Sequence, residues 1–326
     1  MSAIRVAAIE VSHWHSLHDA AYLRLLAAMD DVQLVGLQDP SAAVAAERAA
    51  ALGGLPVFTD YRAMLKETRP DFVVALGQHR RMAETAHALL DEGYPFMMEK
   101  PMGVSAAEVQ AVAEKAAAKR AFVAVPLPQR YQPFVARARE MLADGRFGPL
   151  SHLYFRLNRP TSARYPAWHS AWMLDPALAG GGCLRNLGSH LLDLFLLLTG
   201  EDARVVAAQL SARAHARPVE DYATVLLRSA SGVLGTIEVG NTVPYAGTDG
   251  EWKIAGRDAM LVLYHDDAMR VITAGGEETV MGQPTPLYRL CVRDILDRWR
   301  RGAAPPVGVH DLLRVVRLID DAYALA

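Results

Sequence analysis

The stretch IEVSHWHSLH, residues 9–18, gathers Glu10, Ser12, His13, His15 and His18 around Trp14, directly behind the apolar run IRVAAI. A carboxylate, a hydroxyl and imidazoles at the end of a strand can move protons, hold a metal or meet a ligand. The metal reading fails because no carboxylate converges with the three imidazoles of His13, His15 and His18, so no metal is expected. The spacing fits another chemistry. Glu10, Ser12 and His15 stand at the three glycine positions of G-x-G-x-x-G, the turn that lets backbone N–H groups approach a pyrophosphate at a helix N-terminus. Val11, His13 and Trp14 fill the positions between and complete the candidate cofactor loop. Asp39 follows the next apolar run, VQLVGL, where a carboxylate would accept from a ribose hydroxyl and repel a 2′-phosphate, favouring NAD over NADP. It reads equally well as a turn residue before Pro40.

Glu10 is the objection to a dinucleotide. A carboxylate ~4 Å from a pyrophosphate oxygen is opposed by roughly 4 kcal/mol at an effective dielectric near 20, about a thousandfold in affinity. The objection lapses if the side chain turns away, capping a neighbouring helix or meeting an Arg.

The elements that position these residues alternate. IRVAAI, a helical stretch over about 17–29 and VQLVGL read as strand, helix, strand. A helix over 41–52, PVF before TDYRAML, DFVVAL at 71–76, a helix over about 81–92, YPFMM at 94–98, a helix over 105–119 and AFVAV continue the pattern. Short apolar strands between amphipathic helices predict an α/β N-terminal Rossmann domain with a parallel sheet, whose ligands bind at the carboxyl ends of the strands.

The pattern changes near residue 122, which divides the chain into a dinucleotide-binding domain at 1–122 and a substrate-binding and oligomerisation domain at 123–326. Helices over 133–144 and about 183–198, a strand at 151–158, and the series RVVAAQLSAR, YATVLLRS, GVLGTIEVG, EWKIAG, AMLVLY and MRVITA follow. Helices over about 286–301 and 309–324 close the chain. Tight turns such as SASG and TDG between close-spaced strands predict an α+β C-terminal domain with a largely antiparallel, open sheet. One face of that sheet needs cover, which predicts a homodimer or homotetramer paired through it.

At 326 residues the chain has material for two cores. A formal net charge of −2 from 34 basic and 36 acidic residues gives no reason to expect nucleic acid or an anionic membrane as partner. Cys183 and Cys291 show no paired or metal-ligand spacing, which suits a reducing cytoplasm. The apolar segment LLDLFLLLTG at 191–200 is too short to span a bilayer and carries Asp193.

Two further stretches, FMMEKPMGVS at 96–105 and LAGGGCLRNLGSHLLDL at 178–194, together closely resemble the Gfo/Idh/MocA family of nicotinamide-dependent oxidoreductases. That family carries Glu-Lys-Pro after the fifth strand, then a Gly-rich turn leading to a helix with Asp or Asn, Gly, and His four residues on. QDPSAAVAAERAAALGGLPVFTDYRAML and WMLDPALAGGG extend the likeness over nearly the whole chain.

The resemblance implies a site. Lys100 would stand beside the nicotinamide, its ammonium hydrogen-bonding a substrate hydroxyl and favouring alkoxide character as hydride leaves. His190, four residues after Asn186 and sharing its helix face, would accept the hydroxyl proton; Asn186 would bind a hydroxyl. Glu99 and Pro101 would shape the turn that aims Lys100, and Asp193 is read as structural or as the partner of a nearby cation. GQHRRM at 77–82 sits where the family carries a Pro-Asn-like turn followed by a His, so Gly77 and Gln78 fill the turn at the cofactor and Arg81 takes the place of the His.

The loop NRPTSARYPAWHSAWMLD at 158–175 offers Trp168 and Trp172 to pack on sugar C–H surfaces, and Arg130, Tyr131, Arg164 and His169 could bind hydroxyls. The expected function is an NAD(P)-dependent oxidoreductase passing hydride between the cofactor and a secondary alcohol of a sugar, cyclitol or related polyol. The alternatives are a redox-neutral, NAD-dependent glycosidase or lyase-type enzyme and a ligand-binding relative without cofactor.

Overall fold

The computed structural model describes residues 2–264, 268–281 and 285–326. The chain forms two compact units, each assembled from separate stretches: 1–126, 163–180 and 291–313 make the first, and 127–162, 181–290 and 314–326 the second.

The first unit holds six parallel strands: β1 (Ile4–Ile9), β2 (Val32–Gln38), β3 (Val57–Phe58), β4 (Phe72–Ala75), β5 (Phe96–Met98) and β6 (Val123–Ala124), in the spatial order β3-β2-β1-β4-β5-β6. β4 and β5 are buried at every residue, as expected of strands covered by helices on both faces. Three of the intervening helices start where a short polar side chain takes a free backbone N–H. Ser41 accepts from Val44 N, Asp60 from Ala63 N and Ser105 from Glu108 N.

Register decides what this sheet presents at its edge. Ile9 pairs with Gln38 and with Ala75, and Ala75 pairs with Met98. The residues that follow, Glu10, Asp39, Leu76 with Gly77, and Glu99 with Lys100, therefore leave one edge together. The order reverses between β1 and β4, which is where such sheets open a crevice.

The expected helix over 17–29 is a 3-10 turn at Trp14–Ser16 and a separate helix at Tyr22–Ala27. Asp19 and Ala21 take φ of 50° and 48°, outside the helical region, and interrupt it.

The division of the chain is not a single cut near 122. The segment 163–180 sets Tyr165, Met173 and Ala179 against Trp14. The segment 291–313 bonds Arg293 to Asp31 at 2.8 Å and runs beside β6 through Ala124 and Gly308. Side-chain packing of distant stretches, invisible to local pattern, brings both into the first unit.

The second unit holds β7 (Leu150–Pro160), β8 (Ala203–Ser211), β9 (Tyr222–Ser229), β10 (Leu234–Val243), β11 (Asp249–Gly256), β12 (Ala259–Leu263), β13 (Ala268–Thr273) and β14 (Gly276–Met281), in the order β14-β13-β12-β11-β7-β10-β9-β8. Only β7 and β10 run parallel; the other pairs are antiparallel.

Along β9, Ala223, Val225 and Leu227 are buried while Leu226 and Arg228 stay exposed. The buried face packs against helices Pro133–Ala143 and Ser189–Thr199 and the part of Val309–Leu325 that carries Val315, Leu318, Ile319 and Ala322. The opposite face carries a polar lattice in which Tyr154 and Tyr222 both donate to Glu238, and Arg156 bonds Asp249 and Glu251.

Candidate active site

At the edge of the first sheet Glu10 takes φ 54°, the left-handed conformation that a glycine would adopt without strain. Its amide donates to Gln38 Oε1, and its carboxylate turns toward β4. Glu10 Oε2 accepts from Gln78 N at 2.9 Å, and Oε1 lies 2.9 Å from Arg81 Nη2. Gln78 is the N-cap of helix His79–Glu92 and has no side-chain cap of its own, so Glu10 caps that helix from another strand. Gly77, at φ 87°, makes room, since a Cβ there would sit 3.3 Å from Glu10 Oε2. Burial pushes the Glu10 carboxyl above its usual range, and Arg81 and the Gln78 amide pull against that rise.

The loop behind Glu10 is tied from within. Asp39 Oδ2 accepts from Ser12 N at 2.7 Å and Oδ1 from Ser41 N at 3.0 Å, so Asp39 braces the loop and turns the chain at once. His13 N and Ser16 N donate to Glu10 O and His13 O, and His15 N donates to His13 Nδ1. That last bond places the neutral His13 proton on Nε2, a buried donor with no acceptor among the described residues. Burial and the neighbouring His15 hold the His13 pKa well below its usual value. Val11 O accepts from the buried Arg48, and Trp14 lies under the loop, stacked on His13 at 3.9 Å.

Glu99 stands under the next strand end. Its Oε1 accepts from His15 Nδ1 at 2.8 Å and from Tyr22 OH at 2.6 Å, and its Oε2 from Lys100 N at 3.1 Å. Burial alone would raise this carboxyl, but His15 and Lys100 hold it well below the usual range. Lys100 is 1% exposed. Burial brings its ammonium down to about 8, with Glu99 and Asp19 opposing.

The tryptophans of the 158–175 loop have ring partners in the first unit. Trp168 stacks on His18 at 4.7 Å, and Trp172 lies 4.8 Å from His79 and 6.0 Å from His13. Arg164 lies over Tyr165, and His169 pairs with Glu47 at 3.0 Å. Each of these side chains therefore has a partner within the protein.

In the second unit the expected helix over 183–198 begins as a π-helical turn, Leu184–Gly188, and becomes α-helical at Ser189–Thr199. Asn186 lies inside the π turn and His190 just beyond it, both buried. The wider π winding shifts the spacing of four away from the single α-helical face the sequence implies.

Glu220 holds the start of this segment. Its Oε2 accepts from Gly182 N at 2.8 Å, and its Oε1 from Leu184 N at 2.9 Å and Tyr323 OH at 2.8 Å. Neither Glu220 nor Tyr323 was marked by the sequence, because no local spacing ties them to the Gly-rich turn. Farther along, Asp193 takes Nε and Nη2 of Arg130, one on each oxygen, while Tyr131 closes the 3-10 turn Pro128–Tyr131.

Residues 13–126 match the model of an oxidoreductase family with an NAD-binding Rossmann fold, and residues 135–262 match the GFO/IDH/MocA C-terminal domain. The chain belongs to the Gfo/Idh/MocA oxidoreductase family.

Among relatives of this Gfo/Idh/MocA protein, the trans-1,2-dihydrobenzene-1,2-diol dehydrogenase of Bos taurus is 30% identical over 202 residues, 59% of this chain and 57% of its own length. The chain thus spans less than two thirds of that relative. The D-apiose dehydrogenase of Paraburkholderia graminis is 24% identical over 322 residues, covering 91% of this chain and 82% of its own. The fold matches the crystal structure of GenD2 from gentamicin A biosynthesis in complex with NAD, with a TM-score of 0.86, 21% identity and coverage of 100% and 95%.

The first unit fits the family's dinucleotide in three respects. Glu10 keeps the backbone conformation of a glycine turn and directs its charge into an ion pair. Asp39 sets a carboxylate at the end of β2. The Nε2–H of His13 is a buried donor awaiting an acceptor. It differs in one respect: the amides of Ser12, His13, His15 and Ser16 are spent inside the loop, so a pyrophosphate would draw on fewer backbone donors than a glycine turn offers.

Among the described residues no group of three His, Cys, Asp or Glu side chains is set to hold a metal, and no helix is long and apolar enough to cross a membrane.

Proposed function

We propose that this Gfo/Idh/MocA protein is an NAD-dependent dehydrogenase that oxidises a secondary alcohol of a sugar, cyclitol or related polyol, or reduces the corresponding ketone. The observation that carries the reading is Lys100, buried at the carboxyl end of β5 with an ammonium brought down to about 8 and flanked by the Glu99–His15 pair. A cation desolvated at a strand end is poised to stabilise developing alkoxide charge.

When bound, the nicotinamide supplies the hydride acceptor or donor. Glu10, Val11, Ser12, His13, Trp14, His15, Asp39, Gly77, Gln78 and Glu99 form its surroundings in this reading. Lys100 hydrogen-bonds the reacting oxygen, Asn186 binds a hydroxyl, and His190 takes the hydroxyl proton during oxidation and returns it during reduction. Arg130, Tyr131, Trp168 and Trp172 complete the substrate contacts.

The relatives support the substrate class, one named for a cyclic diol and one for a sugar. The protein works as a homodimer or homotetramer through the polar face of the second sheet, where Arg156 and Lys253 lie beside Asp249 and Glu251 and both charge signs meet. It resides in the cytoplasm, consistent with two buried thiols and no disulfide.

The test is titration of cofactor-stripped protein with NAD and NADP, followed by a screen of sugars, cyclitols and diols for NADH formation. NAD binding with turnover of one such class supports the proposal, and NAD binding without turnover of any member overturns its substrate half. Light scattering across micromolar concentrations tests the assembly, and a monomer throughout refutes it.

A further inference from the structure

Two residues of the first unit argue by type against a dinucleotide, and they are each other's partner. Glu10 stands where the first glycine of a phosphate turn belongs, and Arg81 replaces the His that the resembled family carries near its cofactor. Read singly, each counts as damage. The structure joins them at 2.9 Å, with the Gln78 amide completing the carboxylate's contacts.

We propose that Arg81 makes Glu10 compatible with NAD, so that the pair, and neither residue alone, replaces the first glycine. The inference rests on the NAD-linked reading above.

A glycine contributes two things at that position, a left-handed backbone and the absence of a side chain. Glu10 retains the first, with φ 54°. The second is met by disposal of the carboxylate. Its oxygens go to the N-terminus of helix His79–Glu92 and to the guanidinium, leaving a pair with no net charge instead of an anion facing phosphates. Glu10 is 7% exposed, so water cannot screen it, whereas the Arg81 side chain is 45% exposed and can be trimmed without opening the core. Gly77 belongs to the same arrangement, because its positive φ and bare Cα admit Glu10 Oε2.

The experiment is calorimetric titration with NAD of the native protein, Arg81→Ala, Arg81→Lys, Glu10→Gln and the double variant Glu10→Gln/Arg81→Ala, each shown to be folded by thermal melting. Arg81→Ala is expected to weaken NAD binding by on the order of tenfold or more, because a buried carboxylate near phosphate loses its counter-ion. Arg81→Lys retains most of the affinity. In the Glu10→Gln background, removing Arg81 changes affinity by less than about threefold. Native affinity in Arg81→Ala, or equal losses in both backgrounds, overturns the pairing while the NAD reading stands. Failure of all five folded proteins to bind NAD overturns that reading, and the pairing with it.

Discussion

His15 Nδ1 donates to Glu99 Oε1 at 2.8 Å across 84 residues of sequence, tying the loop after β1 to the turn that carries Lys100. The Glu99 carboxyl is held well below its usual range, so its folded value lies under its unfolded one. That stabilisation is fully present above the unfolded carboxylate value of about 4.3 and is lost as pH falls below it. Glu99→Gln is therefore expected to lower stability at neutral pH by on the order of 3 kcal/mol, since a buried partner is removed. Thermal melts of native and variant should converge as pH drops below about 4. Parallel melting curves across that range would reject the pairing as a source of acid sensitivity.

Lys100 predicts the alkaline limb of activity. In the proposed reaction its ammonium, brought down to about 8 by burial, would assist the reacting oxygen only while charged, so kcat is expected to fall as pH rises through that value. Lys100→Met is expected to cost about a hundredfold or more in kcat, and Lys100→Arg, charged throughout, flattens the limb. An unchanged pH profile in Lys100→Arg would assign the limb to another group.

Asp39 predicts cofactor choice. Asp39→Asn keeps an acceptor for Ser12 N while removing a charge that, in the proposed site, would repel a 2′-phosphate. The ratio of NADP to NAD affinity should rise by about tenfold, an effect of about 1.4 kcal/mol. Calorimetry with both dinucleotides checks it, and an unaltered ratio would leave Asp39 only its bracing role.

Gly182 predicts a steric limit. A Cβ there would meet the backbone oxygen of Glu220 at 2.2 Å, and backbone cannot yield as a flexible side chain can. Gly182→Ala should destabilise the protein by about 2–3 kcal/mol, within the usual cost of overpacking. Tyr323→Phe, which removes one hydrogen bond to Glu220, should cost nearer 1 kcal/mol. Denaturant melts that rank the two in the opposite order would contradict this account of the turn.

The parallel sheet was legible because its strands are continuous apolar runs set between helical stretches. The break at Asp19 and Ala21 carried no such mark, since an alanine rarely adopts a positive φ. β14, with Glu277 and Glu278 in a six-residue edge strand, lacks the apolar alternation that found its neighbours. In the candidate site, Glu-Lys-Pro and the Gly-rich turn were readable as motifs. The π turn at Asn186 and the grip of Glu220 depend on tertiary contacts with no local trace. That Glu10 would cap a helix or meet an Arg was open to the sequence, but Arg81 as the partner was not, because nothing in a linear text joins the end of one strand to the first turn of a helix 71 residues on.

The three-piece assembly of the first unit sets a rule for anyone who would dissect this protein. A fragment ending at Pro126 would lose Tyr165 and Met173 from the face of Trp14, and Arg293 and Arg300 from Asp31. Such a fragment would bare an indole that is 1% exposed in the intact chain and would tend to aggregate. An isolated cofactor module would have to splice 163–180 and 291–313 back on through engineered linkers, and gene fusions or split reporters broken near 126 should yield insoluble halves.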